Sequence, residues 1–362
     1  MNIGILSMQK ILNYGSFLQA FSLKKQLESR GHDVYFVDIL PGRQIVKQNV
    51  NQSKQNLLKK LDRYALKRIE HYFFSKIMAR NHIADYKTYL ETDKKLPAGE
   101  KFDLVIIGSD EVFNATTPSP WGFTKQLFGC VENAKRVVTY AASCGHTDYQ
   151  AAENCGIVEE IRHSMKNLQA VSVRDQNTWE FVRSITGKEP ELHLDPVFIS
   201  DYDAYIPEFK MRKPYLLVYA YANRISSEQE IQAIKQYAKE NGLKTVSVGM
   251  QQRWCDENIT ASAFELLAFV KNAACIVTDT FHGTVFSIKY NKRFAVLVRD
   301  SNRNKLAGLL KQFSLDSRII ENPEELRTIM EKPLDFVTTN AYIAAQRQRS
   351  EAYLEQVTAE GK

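Results

Sequence analysis

The stretch Asp279-Thr-Phe-His-Gly-Thr-Val-Phe-Ser287, DTFHGTVFS, follows the apolar run at 273–277. An apolar run that leaves through Asp and Thr, passes a histidine and reaches Gly283 and Thr284 reads as a buried strand turning into a helix that starts after Gly283. A junction of this kind aims the free N–H groups and the positive end of the helix dipole at one spot, which suits an anion, and His282 stands beside it. The same residues also fit a structural turn whose histidine caps or packs.

Working outward, the chain alternates short apolar runs with helical patterns. Strands are expected at 3–7, 33–39, 104–107, 136–141 and 171–173, with a helix at 16–30. After a polar, proline-flanked passage at 195–214 the pattern restarts, with strands at 215–219, 244–248, 275–278 and 294–298. Helices are expected between them at 227–241, 263–272 and after Gly283. Strand and helix in alternation imply parallel sheets with crossover helices. The restart divides the chain into 1–205, 206–335 and a polar helical tail, 336–362, expected to pack back on the first unit through Ala345, Tyr353 and Leu354.

The chain has 362 residues, 44% of them apolar and 25% charged, ordinary values for a globular protein of two domains. Its first residues lack a basic n-region and a long apolar h-region, and read as a strand and not a signal peptide. No apolar stretch approaches the roughly 18 residues that span a bilayer. The five cysteines show no CxxC spacing, which disfavours a disulfide framework and a zinc site, and a cytoplasmic location is expected. The net charge of +6 is partly local. Lys54, Lys59, Lys60, Arg63, Lys67, Arg68, Lys76 and Arg80 face only Asp62 and Glu70, while Leu57, Leu58, Leu61, Ala65, Ile69, Phe73 and Ile77 recur at helical spacing. This reads as a basic amphipathic helix over 54–80: a solvated face above a packed stripe, or a contact for an anionic membrane or a phosphate-bearing acceptor. No nucleic-acid-binding pattern accompanies it.

In open α/β sheets ligands bind beyond the carboxyl ends of the strands. Small polar loops follow several of the expected strands. They are Asn13-Tyr14-Gly15-Ser16, with Ser16 placed to cap a helix, then Gly108-Ser109-Asp110-Glu111 running to Asn114, Ala141-Ala142-Ser143, and Arg174-Asp175. Each alone is ordinary loop punctuation, and Arg174 with Asp175 also fits an ion pair tying loop to helix. Asp110 and Glu111 equally fit a capped turn. The other six histidines, including His71, His82 and His146, lack a setting like that of His282.

Taken in order over about 4–294, the segments NYGSFLQA, FDLVIIGSDEVFN, YAAS, VSVRD, LDPVF and TDTFHGTVFSIKYNKRF closely resemble the polysaccharide pyruvyl transferase family. The resemblance implies two Rossmann-like domains facing a cleft, a GT-B-like α/β architecture, with no metal and no cofactor. It implies transfer of a pyruvyl ketal from phosphoenolpyruvate to two hydroxyls of a sugar, galactose at its 4 and 6 positions being the commonest case. The sugar would belong to a lipid-linked precursor of a capsule, exopolysaccharide or cell-wall polymer. It places donor binding on Asn13, Tyr14, Gly15, Ser16, Gly108, Ser109, Ser143, Thr280, Gly283 and Thr284, and acceptor binding on Glu111 and Asn114. Many family members carry arginine where this chain has Thr280, which leaves open which cation holds the donor there.

The chemistry fits the residue types. Ketal formation from an enol phosphate requires a proton on C3, addition of one hydroxyl to C2, loss of phosphate and closure by a second hydroxyl. Histidine works as acid and base near neutral pH, and His282 is the candidate, with N–H groups of Gly283 and Thr284 as phosphate donors. Arg174 offers a planar grip on carboxylate or phosphate, and Asp110 and Glu111 offer carboxylates for orienting the acceptor or serving as base, Asp110 being the third catalytic candidate. A nucleotide-sugar glycosyltransferase of the same architecture, or a non-catalytic glycan-binding scaffold, would fit the same fold.

Overall fold

Runs that are apolar on both faces become the central strands of two parallel sheets. β1 (Asn2–Leu6), β2 (Asp33–Phe36), β3 (Leu104–Ile107) and β4 (Val137–Thr139) lie in the order β2-β1-β3-β4. Two very short strands, β5 (Ser172–Val173) and β6 (Glu191–Leu192), pair with each other and join this sheet beyond β4, with a bridge between Ala142 and Val173. β7 (Tyr215–Tyr219), β8 (Lys244–Val248), β9 (Glu257–Ile259), β10 (Cys275–Thr278), β11 (Phe294–Leu297) and β12 (Ile319–Ile320) form the second sheet, in the order β12-β11-β10-β7-β8-β9. The computed structural model describes residues 1–45, 61–116, 118–208, 211, 213–299 and 302–359, with the backbone alone for 61–70. The architecture is α/β, two Rossmann-like sheets facing a cleft in the GT-B manner.

Order reverses between β1 and β3 in the first sheet and between β7 and β10 in the second, so each sheet has one switch point at which adjacent crossovers diverge and leave a crevice. The two crevices face each other. Between them the helix Tyr14–Glu28 packs its aromatic residues on the helix Ala263–Asn272, with ring centroids of Phe17 and Phe21 at 5.7 and 5.1 Å from that of Phe264. One apolar cluster therefore runs from Ile3 and Ile5 under the first sheet to Leu217, Val285 and Phe286 under the second.

Several elements differ from expectation. The helix after β1 begins at Tyr14, with Asn13 and not Ser16 as its cap: the Asn13 side chain accepts from the Gly15 N–H at 2.7 Å. The helix after β10 spans Phe281–Lys289, so His282 and Gly283 lie within its first turn, capped by Thr280. Of the basic segment, Lys54, Leu57, Leu58, Lys59 and Lys60 lie outside the described residues, and the helix continues past Arg80 to Asp85. Phe73 and Ile77, expected on a packed stripe, are exposed at 58% and 47%, while Met78, His82 and Asp85 are the buried side chains among those described. The C-terminal helix Phe336–Ala359 rests on the first sheet, where the Tyr353 hydroxyl donates to the carbonyl of Thr139 at 2.8 Å. Ala345 is exposed and takes no part, and Leu354 and Val357 are buried instead. Among the described residues no helix is long and apolar enough to cross a membrane.

Candidate active site

A cavity of about 430 Å³ fills the space between the two switch points. Beyond β1 it is lined by Asn13 and Ser16, and beyond β3 by Asp110, Glu111 and Asn114. Tyr219 lines it from the end of β7, Tyr221 and Arg224 beyond that strand, Thr280, Phe281 and His282 beyond β10, and Lys305 from the helix Arg303–Gln312. Arg174, from the end of β5, completes the wall.

Asp195 ties both halves together. It caps the short helix Pro196–Ile199 through its Oδ1, which accepts from the Val197 N–H at 3.0 Å. Its Oδ2 accepts from Arg174 Nη1 at 2.8 Å and lies 3.6 Å from His282 Nε2, an ion-pair separation that is long for a hydrogen bond. Burial alone would raise the Asp195 carboxyl, but the adjacent His282 imidazole, the Arg174 charge and the Val197 N–H hold it at about 2. Asp195 is therefore a fixed anion between a guanidinium and an imidazole. Arg174 also lies against the Phe281 ring, 4.2 Å from its centroid. Arg174 Nε and His282 Nε2 are both buried without a hydrogen-bond partner. An unpaired buried polar nitrogen costs about 1–3 kcal/mol, and two of them, on two side chains that both line the cavity, mark a place where a ligand would complete the bonding.

His282 reaches this position because residue 15 is glycine. A Cβ there would lie 1.9 Å from Nδ1 of the imidazole, so the ring occupies the notch that Gly15 leaves in the opposing helix. Across the cleft, Asn13 Nδ2 donates to the Tyr221 hydroxyl at 3.3 Å, and Lys305 Nζ meets Glu111 Oε1. Burial would raise Glu111 too, yet Lys305, Asn114 and Arg174 bring it to about 2. Asn114 Nδ2 donates to the other Glu111 oxygen at 2.7 Å. Asp110, at a φ of 74°, accepts from the Glu111 N–H at 2.9 Å and from Ser16 Oγ at 2.6 Å. Behind the wall, Asp279 Oδ1 accepts from the Tyr221 N–H at 3.0 Å, while its Oδ2 has no hydrogen-bond partner and burial lifts the carboxyl to about 6.

Of the residues expected at the site, His282, Arg174, Asp110, Asn13, Ser16, Thr280, Glu111 and Asn114 line the cavity. Tyr14, Gly108, Ser109, Ser143, Gly283 and Thr284 do not, each for a physical reason. Tyr14 is buried between the sheets, its hydroxyl donating to the carbonyl of Ala261 at 2.7 Å. Gly108 (φ 119°) lies so close to the Tyr140 carbonyl that a Cβ would stand 2.3 Å from it. Ser109 donates to the carbonyl of Ala141, and Ser143 to Asp175, which caps the helix Gln176–Thr186 instead of pairing with Arg174. The N–H of Gly283 is taken by Thr280 Oγ1 at 2.9 Å and that of Thr284 by the Thr280 carbonyl at 3.2 Å, so neither is left for phosphate. Gly15 acts through His282. Asp195, Tyr221, Arg224, Lys305 and His146 are cavity-wall or supporting residues that sequence reasoning did not assign. The LDPVF segment was the one visible signal for Asp195.

Arabidopsis thaliana UGT89C1 complexed with UDP-L-rhamnose superposes with a TM-score of 0.54 at 10% identity, covering 99% of this chain and 98% of that one. UDP-GlcNAc 2-epimerase from Neisseria meningitidis bound to UDP-GlcNAc gives 0.50 at 9%, covering 99% and 100%. At such identities these likenesses establish the fold alone. No curated protein matches the sequence. The polysaccharide pyruvyl transferase family pattern matches residues 13–301, a span that holds Asn13, Asp110, Arg174, Asp195 and His282. The chain belongs to the polysaccharide pyruvyl transferase family.

Proposed function

We propose that the protein moves the pyruvyl group of phosphoenolpyruvate, as a ketal, onto two hydroxyls of one sugar, galactose at positions 4 and 6 being the first acceptor to test. The observation that carries this reading is the Arg174–Asp195–His282 cluster, with its two unpaired buried nitrogens at the cavity wall. Arg174 would grip one anionic group of the donor. Lys305 and Arg224, which line the same cavity, supply the charge that Thr280 lacks. His282, oriented by Asp195, would deliver the proton to C3. One hydroxyl oxygen then bonds to C2 and gives up its proton, the C2–O bond to phosphate breaks, and the second hydroxyl oxygen closes the ring, losing its own proton. One proton enters C3 and one leaves with phosphate or to water, so the step balances. Asp110, Glu111 and Asn114 are the groups suited to hold the sugar hydroxyls. The acceptor we favour is a lipid-linked precursor of a capsular, exopolysaccharide or cell-wall polymer, met in the cytoplasm.

The test is phosphate release together with a pyruvyl mass increment on a panel of galactosides, with phosphoenolpyruvate as donor. Product from the parent and none from His282→Ala supports the proposal, as does loss of donor binding in Arg174→Ala. Absence of product, with thermal stabilisation by a nucleotide sugar instead, would replace it with glycosyl transfer.

A further inference from the structure

The helix Leu61–Asp85 presents the wrong face to water for a soluble protein. On a helical wheel Tyr72, Phe73, Lys76, Ile77, Arg80 and Ile83 fall on one arc, and the opposite arc carries the buried Met78, His82 and Asp85. The inner arc is fixed to the rest of the chain: Asp85 accepts from the Ala263 N–H at 2.8 Å, and the His82 ring packs on Tyr14 with centroids 4.5 Å apart. Tyr72, Phe73, Ile77 and Ile83 are exposed at 54%, 58%, 47% and 47%. They are four of the eight large hydrophobics exposed among the described residues, so the apolar surface is gathered on one helix face and not scattered.

Over 71–85, the part of the helix whose side chains are described, the charge on that face has one sign. Lys76 and Arg80 stand among the apolar side chains, with Lys76 Nζ 4.5 Å from the Tyr72 ring centroid, and among the described residues no carboxylate pairs with either. Aromatic and aliphatic side chains mixed with cations form the pattern of a helix lying in the interface of an anionic bilayer, where the apolar groups enter the headgroup boundary and the cations meet lipid phosphates. The position of the helix adds to this. Just beyond its end, the Tyr86 hydroxyl donates to the carbonyl of Ile11 at 2.5 Å, and Ile11 both lines the cavity and is exposed beside exposed Leu12. The end of the helix is thus tied to the loop that carries Ile11 and Leu12 at the cavity rim.

We propose that the exposed arc Tyr72, Phe73, Lys76, Ile77, Arg80 and Ile83 docks the protein onto an anionic lipid surface with the cavity mouth at that surface. The proposal does not depend on which donor the cavity takes. It is tested by cosedimentation of the full chain with vesicles of phosphatidylcholine alone and of equal parts phosphatidylcholine and phosphatidylglycerol. The parent is expected to pellet with the mixed vesicles and not with phosphatidylcholine alone. The partition coefficient should fall at least about tenfold in F73E/I77E and about fivefold per cation in K76E/R80E, while V337E, at an exposed apolar position outside the arc, binds as the parent does. Because these side chains point outward, circular dichroism and phosphoenolpyruvate binding in the same variants should match the parent, which separates docking from the chemistry of the cavity. Failure of the parent to pellet, or equal pelleting of F73E/I77E, overturns the proposal. So does a dimer in sedimentation velocity that F73E/I77E converts to monomer without vesicle binding, since a second copy would then own the face.

Discussion

Gly15→Ala isolates the contact on which the site depends. Gly15 lies in the first turn of a helix with no positive φ, so nothing in the backbone requires glycine there. A Cβ would stand 1.9 Å from Nδ1, 2.2 Å from Cγ and 2.5 Å from Cε1 of His282. Ordinary contact is about 3.5 Å, so the imidazole must retreat by about 1.6 Å. Retreat is opposed by Asp195 and by the Phe281 and Phe286 rings, whose centroids lie 5.3 and 6.0 Å from that of the imidazole. Overpacking of this kind costs about 1–3 kcal/mol, whereas alanine for glycine in an unobstructed helix gains about 0.4–1 kcal/mol. The sign should therefore flip in the His282→Ala background. A double-mutant cycle read by denaturant unfolding should give a coupling of about 1.4–4 kcal/mol. On the proposed role of His282 in proton transfer, a reacting group misplaced by about 1 Å loses about 100-fold in rate, about 2.7 kcal/mol, so turnover in phosphate release should fall at least that far while the protein stays folded. Turnover within about threefold of the parent, or the same stability change with and without His282, would refute the reasoning.

Asp195→Asn should strip the Arg174 guanidinium of its counter-charge in a buried setting, a loss of about 3–5 kcal/mol in urea unfolding; a change below about 1 kcal/mol would mean the pair is not the anchor it is taken to be. Asp279 behaves in the opposite sense. Its folded carboxyl titrates at about 6, above its ordinary value, so the native state holds the proton more tightly and the carboxyl's contribution to stability falls as pH rises from about 4 to about 6. Asp279→Asn should therefore stabilise by about 1–3 kcal/mol at about pH 8 and by almost nothing at about pH 4, and an equal effect at both would contradict burial as the cause. Lys305→Met should weaken phosphoenolpyruvate binding by about 10- to 100-fold in calorimetry, the loss of one charge-assisted hydrogen bond; unchanged affinity would remove Lys305 from the donor site.

The central strands were legible because burial on both faces leaves an unbroken apolar run, as in LVII of β3 and YLLVY of β7. β5 is expected at 171–173, but β6 and β12, of two residues each, carry no such run, and with β6 went the partner of Arg174. Asp195 comes beside Arg174 only because Ser172 pairs with Glu191 and Val173 with Leu192, a register that two-residue strands do not announce. The helix after β10 starts three residues before the expected position, because glycine looks like a boundary. Gly283 is instead inside the helix, where a Cβ would meet Thr278 Oγ1 at 2.1 Å. Tyr14, in a loop of polar neighbours, looked like a ligand residue, yet the helical period turns it into the core between the sheets. Phe73 and Ile77 failed in the other direction: their spacing was that of a packed stripe, but Met78 and His82 hold the inner face and turn them outward.

The contacts that define the site all cross between separate strand ends, and most cross between the sheets: Gly15 with His282, Asn13 with Tyr221, Glu111 with Lys305, and Asp195 with His282. Each loop, taken alone, holds an ordinary residue. Asn13 is a helix cap, Asp195 is a helix cap, and Glu111 follows a turn. The site forms where the switch point of one sheet is pressed against that of the other, so that the imidazole of the second half sits in a notch of the first, and its counter-charge, Asp195, also comes from the first. This is why a fold shared at about 10% identity with proteins that bind UDP-sugars does not fix the reaction. The sheets bring two anion-suited crevices together. Which atoms meet there is decided by a missing Cβ at residue 15 and a carboxylate at residue 195 that has no freedom to lose its charge.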